Sequence, residues 1–97
     1  MGTFNDLFRP SIFLLVLDLF LRNPEEYMNL REVSRRVEKR PGSISRVLPR
    51  LAERKYIIAT RIGAKIVAYK LNQENEVIEH LLDFQEKITL TYALTRA

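Results

Sequence analysis

Two short amphipathic stretches meet at Lys39-Arg40-Pro41-Gly42, and the proline there forbids one continuous helix across them. Proline bars the helical conformation from the residue before it, and glycine lets the chain open in a new direction. Upstream, Asn29 stands three residues before Glu32, a variant of the capping box in which each side chain accepts a backbone N–H of the other. Leu30, Val33 and Val37 then share one face, while Arg31, Arg35 and Arg36 point elsewhere. Downstream, Ile44, Val47, Leu48 and Leu51 keep the spacing of an apolar stripe, with Ser45, Arg46, Arg50 and Arg54 on or beside the opposite face. The pattern predicts a short helix, a tight turn, and a second helix over about 42–54.

Other elements follow from the same kind of reading. A helix is expected from about Pro10 to Leu21, stopped by Asn23-Pro24. Tyr56 to Arg61 and Lys65 to Leu71 are rich in β-branched and aromatic residues around Gly63-Ala64, which predicts a hairpin. A long last helix is expected over about 73–95, with Val77, Leu81, Phe84 and Ile88 on one stripe. Ile78, Leu82, Gln85, Thr89 and Tyr92 make the neighbouring stripe. The fold class is therefore α+β and mostly helical: a three-helix core, a two-stranded hairpin and a long C-terminal helix. With 97 residues, 46% of them hydrophobic and no internal repeat or linker, the expectation is one domain over 1–97.

Charge is distributed unevenly. Residues 31–70 hold twelve Lys or Arg against three acids, a net of +9, and the remaining residues hold four against nine, a net of −5. A cationic block between acidic flanks suits a polyanion, because neutralised phosphates release condensed counterions. The same block is also compatible with a merely solvated basic surface.

Several classes are disfavoured. The absence of cysteine removes disulfides, thiolate ligands and a cysteine nucleophile. The apolar run Ser11 to Leu21 is well short of the roughly 20 residues a membrane span needs, and it contains Asp18. Its flanks do not suit a secretory signal either, and a cytoplasmic location is expected. His80, the lone histidine, lies among Glu76, Glu79 and Asp83, where it reads as a surface neighbour and not as a metal ligand or base. No phosphate loop, metal-ligand cluster or nucleophile–base pair is apparent, so neither an enzyme nor a cofactor is expected.

The stretch Ser43-Ile44-Ser45-Arg46-Val47-Leu48, continuing through Leu51 to Tyr56-Ile57, matches a pattern of the form S-(V/I)-S-R-x-L-x-x-L-x-x-x-G-(L/Y)-(I/V). With the elements around it, from Asn29 to Leu71, it resembles the winged helix-turn-helix regulators of the multiple-antibiotic-resistance and arsenical-resistance repressor families and their archaeal relatives. The resemblance implies sequence-specific binding of double-stranded DNA by a transcription regulator, with residues 10–72 as the DNA-binding core. The helix over 42–54 would lie in the major groove, and the wing over 56–71 on the adjacent backbone or minor groove. Ser43, Ser45, Arg46, Arg50 and Arg54 would then meet bases or phosphates, Arg61 and Lys65 would act from the wing, and Arg31, Arg35, Arg36, Lys39 and Arg40 would hold phosphates. Two departures are visible: Lys55 stands where the families usually place glycine, and Pro49 interrupts the second helix.

The two ends of the chain suggest a partner. A first helix apolar nearly all round needs a second covering, which predicts a homodimer built by the last helix (73–95). Phe13, Leu17, Leu21, Val77, Leu81, Phe84, Ile88 and Tyr92 are the expected contact residues. Two alternatives stay open: a winged-helix module that binds an acidic protein, and an architectural DNA-binding protein with little sequence preference. No effector ligand is legible.

Overall fold

The computed structural model describes residues 11–96, with the side chains of residues 92, 93, 95 and 96 left aside. Helix α1 spans Ile12–Arg22, strand β1 Met28–Asn29, helix α2 Leu30–Val37 and helix α3 Pro41–Glu53. Strands β2 (Ile57–Ile62) and β3 (Ile66–Leu71) follow, and helix α4 runs over Glu76–Arg96. The expected start of α1 at Pro10 lies outside the described residues. Ser11 caps α1, its hydroxyl oxygen accepting the Leu14 N–H at 3.1 Å.

One strand was not anticipated. The expected two-stranded hairpin is present, and β1 joins it to make a three-stranded antiparallel sheet of order β1-β3-β2, in which Met28 pairs with Tyr69 and Asn29 with Ala68. Two residues are too few to show a period-two pattern, so β1 left no signal in the sequence. Strands β2 and β3 pair from Ile57 with Leu71 to Ile62 with Ile66, and Gly63 turns the hairpin at φ +72°. That left-handed value is one a side chain with a Cβ rarely adopts.

The turn between α2 and α3 is tighter than predicted. Pro41 is the first residue of α3, where its missing N–H costs nothing, and Gly42 lies inside the helix. The reversal is made instead by Glu38, at φ 55°, with the Lys39 N–H reaching the Ser34 carbonyl at 3.1 Å. The buried Ser34 hydroxyl donates to the Lys39 carbonyl, which leaves that polar group satisfied in the core. Lys55 behaves in the same way at the end of α3. Its φ is 63°, and Lys55 N–H to Ala52 O (2.9 Å) with Tyr56 N–H to Leu51 O (3.0 Å) completes a Schellman cap without glycine.

Pro49 does not break α3, which continues to Glu53. Having no N–H, it leaves the Ser45 carbonyl without its helical donor, but the proline is on the exposed face, where water can replace the bond. The buried face carries Ile44, Val47, Leu48 and Leu51. These meet Val16, Leu17 and Phe20 of α1, Met28, Val33, Ile57, Leu71 and Ile78 in one core. Helix α4 begins at Glu76, three residues later than expected. The preceding asparagines engage the backbone locally: the Asn72 side chain accepts the Glu74 N–H, and Asn75 Oδ1 caps Ile78 N–H at 3.1 Å.

Candidate nucleic-acid interface

The core-facing stripe of α3 leaves Gly42, Ser45, Arg46, Pro49, Arg50 and Glu53 exposed on its outer side. Ser45 Oγ donates to the Gly42 carbonyl at 2.8 Å, so its oxygen still has acceptor capacity. Ser43 is half-buried. Arg46 makes no ion pair with a described residue.

Arg50 and Arg54, one turn apart on α3, share a platform. Their guanidinium carbons stand 5.0 and 5.8 Å from the centroid of the Phe13 ring. Phe13, expected at a contact between copies, lies beneath the two cations at the end of α3. A guanidinium held over a ring can still present N–H donors to a further partner.

The cations of α2 divide into two sets. Arg31 is exposed and borders an open groove of about 580 Å³ together with Asn29, Leu30, Lys65, Ile66, Val67 and Tyr69. The start of α2 and the wing therefore bring Arg31 and Lys65 to one concavity. Arg35 and Arg36, in contrast, are occupied. Glu32 Oε2 accepts from Arg35 at 2.6 Å and from Arg36 Nε, and the Arg36 fork also donates through Nη1 and Nη2 to Glu26. Three of the five guanidinium N–H donors of Arg36 are thus engaged within the chain, which leaves two for an outside acceptor such as a phosphate. The same network takes the Glu32 carboxylate away from the reciprocal half of the capping box; Asn29 Oδ1 still accepts the Glu32 N–H at 2.9 Å. Hydrogen bonds from Arg35 and then Arg36 hold the Glu32 carboxyl below its ordinary value, and the partner carboxylates raise both guanidinium groups.

Lys39, Arg40, Arg61 and Lys65 are exposed and have no ion pair among the described residues. Strand β2 beyond Ile57 is exposed along its length, so the hairpin projects from the body. Sequence reasoning missed its apolar character: Ile62 and Ile66, cross-strand partners beside the turn, are each about half exposed. It also missed Lys70, which stands 5.2 Å from the Tyr27 ring centroid and 3.4 Å from the Glu25 carboxylate. Glu25 is held low by Gln73 first and by Lys70 second. The β1 pairing brings these residues together, and nothing in their spacing foretells it.

The residues expected between copies are spread over different surroundings. Leu17 is 7% exposed and belongs to the chain's own core, which leaves little of its surface to meet a second copy. Ile78 is buried, and Leu81 and Leu82 pack against the core from α4. Val77 (48%), Phe84 (61%) and Ile88 (51%) lie open to solvent. Leu21 borders an apolar groove of about 560 Å³ between α1 and α4, where Gln85 Nε2 donates to the Leu21 carbonyl at 3.3 Å. The Tyr92 side chain lies outside the described residues.

Three helices packed beside a sheet with a projecting hairpin, followed by a long helix, define the winged-helix fold. Solved structures agree. The ferric uptake regulator of Francisella tularensis, determined with iron, superposes with a TM-score of 0.63 at 20% identity over 78% of this chain and 61% of that one. Lactococcus lactis ZitR in complex with DNA gives 0.60 at 12% identity, over 84% and 57%. A possible transcriptional regulator from Methanosarcina mazei Go1 gives 0.64 at 15% identity, over 96% and 83%. The chain thus spans about three-fifths of the length of the ferric uptake regulator and of ZitR. At these identities the likeness is one of fold. No family model and no curated protein sequence matches the chain. Among the described residues, no helix is long and apolar enough to cross a membrane, and no three His, Cys, Asp or Glu side chains are grouped to hold a metal ion.

Proposed function

We propose that the chain is a DNA-binding transcription regulator that reads a duplex with α3 and straddles the adjacent backbone with its wing. The observation that carries this reading is the set of cations around α3 and the hairpin that make no ion pair among the described residues. Arg46 is on the outer face of α3, Arg50 and Arg54 lie over Phe13, and Arg31 and Lys65 border one groove. An α-helix fits the major groove, and an arginine fork there matches guanine O6 and N7. Cations at the start of α2 and on the wing are suited to phosphates, which fix register without reading sequence. ZitR, a neighbour in fold, was determined in complex with DNA, which supports the same use of this scaffold.

The working form in this reading is a two-fold dimer in which Val77, Phe84 and Ile88 of α4, with Leu21 of α1, face the second copy. Such a dimer presents two copies of α3 to half-sites about one helical turn apart. The acidic residues of α4 would then lie at the end remote from DNA. Its setting would be the cytoplasm.

Selection of bound duplexes from a random pool tests the reading. Enrichment of an inverted pair of half-sites at fixed spacing is the expected result. Uniform recovery of all sequences would indicate architectural binding, and no recovery would point to a protein partner.

A further inference from the structure

The carbonyl of Lys55, at the left-handed end of α3, receives two side-chain donors from the residues that start α4. Asn72 Nδ2 donates to it at 2.9 Å and Asn75 Nδ2 at 3.1 Å. Both asparagines use their other side-chain atom locally. Asn72 Oδ1 accepts the Glu74 N–H at 3.2 Å, and Asn75 Oδ1 accepts the Ile78 N–H at 3.1 Å as the cap of α4. Asn72 N–H also reaches the Tyr56 carbonyl at 2.9 Å, which ties the end of β3 to the residue that leaves α3. Between the two asparagines, Gln73 Nε2 donates to the Pro24 carbonyl at 3.3 Å and to the Glu25 carboxylate at 3.1 Å. The junction of β3 and α4 is therefore fastened on one side to the C-terminal end of α3 and on the other to the segment after α1.

We infer that Asn72 and Asn75 are positioning residues that set the direction of α3 relative to α4, and through it the half-site spacing that a dimer of this chain accepts. The inference rests on the proposed function. The residue that follows the C-cap of α3 has its carbonyl held twice, by side chains of the segment that leads into the helix assigned to dimerisation. A rotation of α4 about its cap strains the Asn75 bond, and a shift of the whole β3–α4 junction strains both. Neither asparagine touches DNA in this reading; each acts through α3.

The side-chain geometry separates this role from helix capping. In Asn72→Asp and Asn75→Asp the oxygen that caps the local N–H is retained, and a carboxylate is at least as good a helix cap. What is lost is the N–H donor to Lys55, replaced by an oxygen that repels the carbonyl. The experiment compares wild type and the Asn72→Asp/Asn75→Asp double variant, each as the full chain. Affinity is measured on duplexes carrying the selected half-sites at a series of spacings, with thermal unfolding and sedimentation run on the same samples. The single Asn75→Asp variant substitutes if the double variant does not fold.

For a variant that remains folded and dimeric, the ratio of affinities between best and worst spacing should fall about tenfold, the effect expected from two lost hydrogen bonds. Its affinity for an isolated half-site should not change. A spacing profile identical to that of wild type would overturn the clamp while leaving DNA binding intact. A wild type that binds no duplex would overturn the proposed function, and this inference with it.

Discussion

The Arg50 guanidinium lies 5.0 Å from the centroid of the Phe13 ring, so a charge of α3 is carried on an aromatic side chain of α1. Arg54 joins it from one turn further along at 5.8 Å. Replacing Phe13 by leucine keeps an apolar residue but removes the ring face. The expected cost is about 0.5–1 kcal/mol in chemical denaturation, the value of an exposed cation–π contact. The salt dependence of DNA binding should stay unchanged, because both charges remain. A changed salt slope would mean that Phe13 does more than support them.

Lys55 holds φ 63°, a conformation that costs a side-chain-bearing residue roughly 1–2 kcal/mol. Lys55→Gly relieves that strain against a small entropic penalty and should raise stability by about 0.5–1 kcal/mol. Glu38, at φ 55°, should respond alike, whereas Gly63→Ala at φ +72° should lose stability. Urea midpoints of the three variants provide the check.

Glu32 ties down Arg35 and Arg36, and its carboxyl is held below the ordinary 4.5 by those hydrogen bonds. A carboxyl depressed in the folded state adds stability that is fully present above its unfolded pKa and is lost as pH falls through the folded value. Denaturation followed downward from pH 6 should therefore show a loss beginning near pH 4.5 and continuing below it, and Glu32→Gln should flatten that part of the curve. The same substitution frees Arg35 and should strengthen binding to mixed-sequence duplex at low salt.

Ile78 and Phe84 occupy the same helix in opposite situations, one fully buried and the other 61% exposed. Ile78→Ala should cost about 2–5 kcal/mol in unfolding, as expected for a cavity in the core. Phe84→Glu should leave the fold intact and turn a dimer into a monomer in sedimentation at micromolar concentration. A wild type that sediments as a monomer would remove the dimer from the account.

The legibility of these features in the sequence followed their locality. Helices α1 to α3 and the hairpin announce themselves through periodicity, and the stripe Ile44, Val47, Leu48 and Leu51 faces the core as read. Strand β1 was invisible because its pairing with β3 joins residues some 40 positions apart and covers only Met28 and Asn29. The helix starts at Pro41 and Glu76 were displaced by turn and cap chemistry at Glu38 and Asn75, which period alone does not report. Among the cations, sequence supplied the candidates but not their partners. Arg36 is drawn off by Glu26, ten residues away, while Arg46 and Lys65 have no ion pair among the described residues. Leu17, expected at a contact between copies because α1 is apolar nearly all round, belongs to the chain's own core.

The most direct test of the central claim is duplex-DNA affinity measured against salt for wild type, Arg46→Ala and Arg61→Ala/Lys65→Ala. For wild type, log K should fall linearly with log salt, and the wing double variant should lose about 2 units of that slope, near 0.9 for each phosphate contact. Arg46→Ala should lower preference for the selected sequence more than affinity for mixed DNA. Binding that is absent at low salt, or a slope identical in all three proteins, would contradict the central claim.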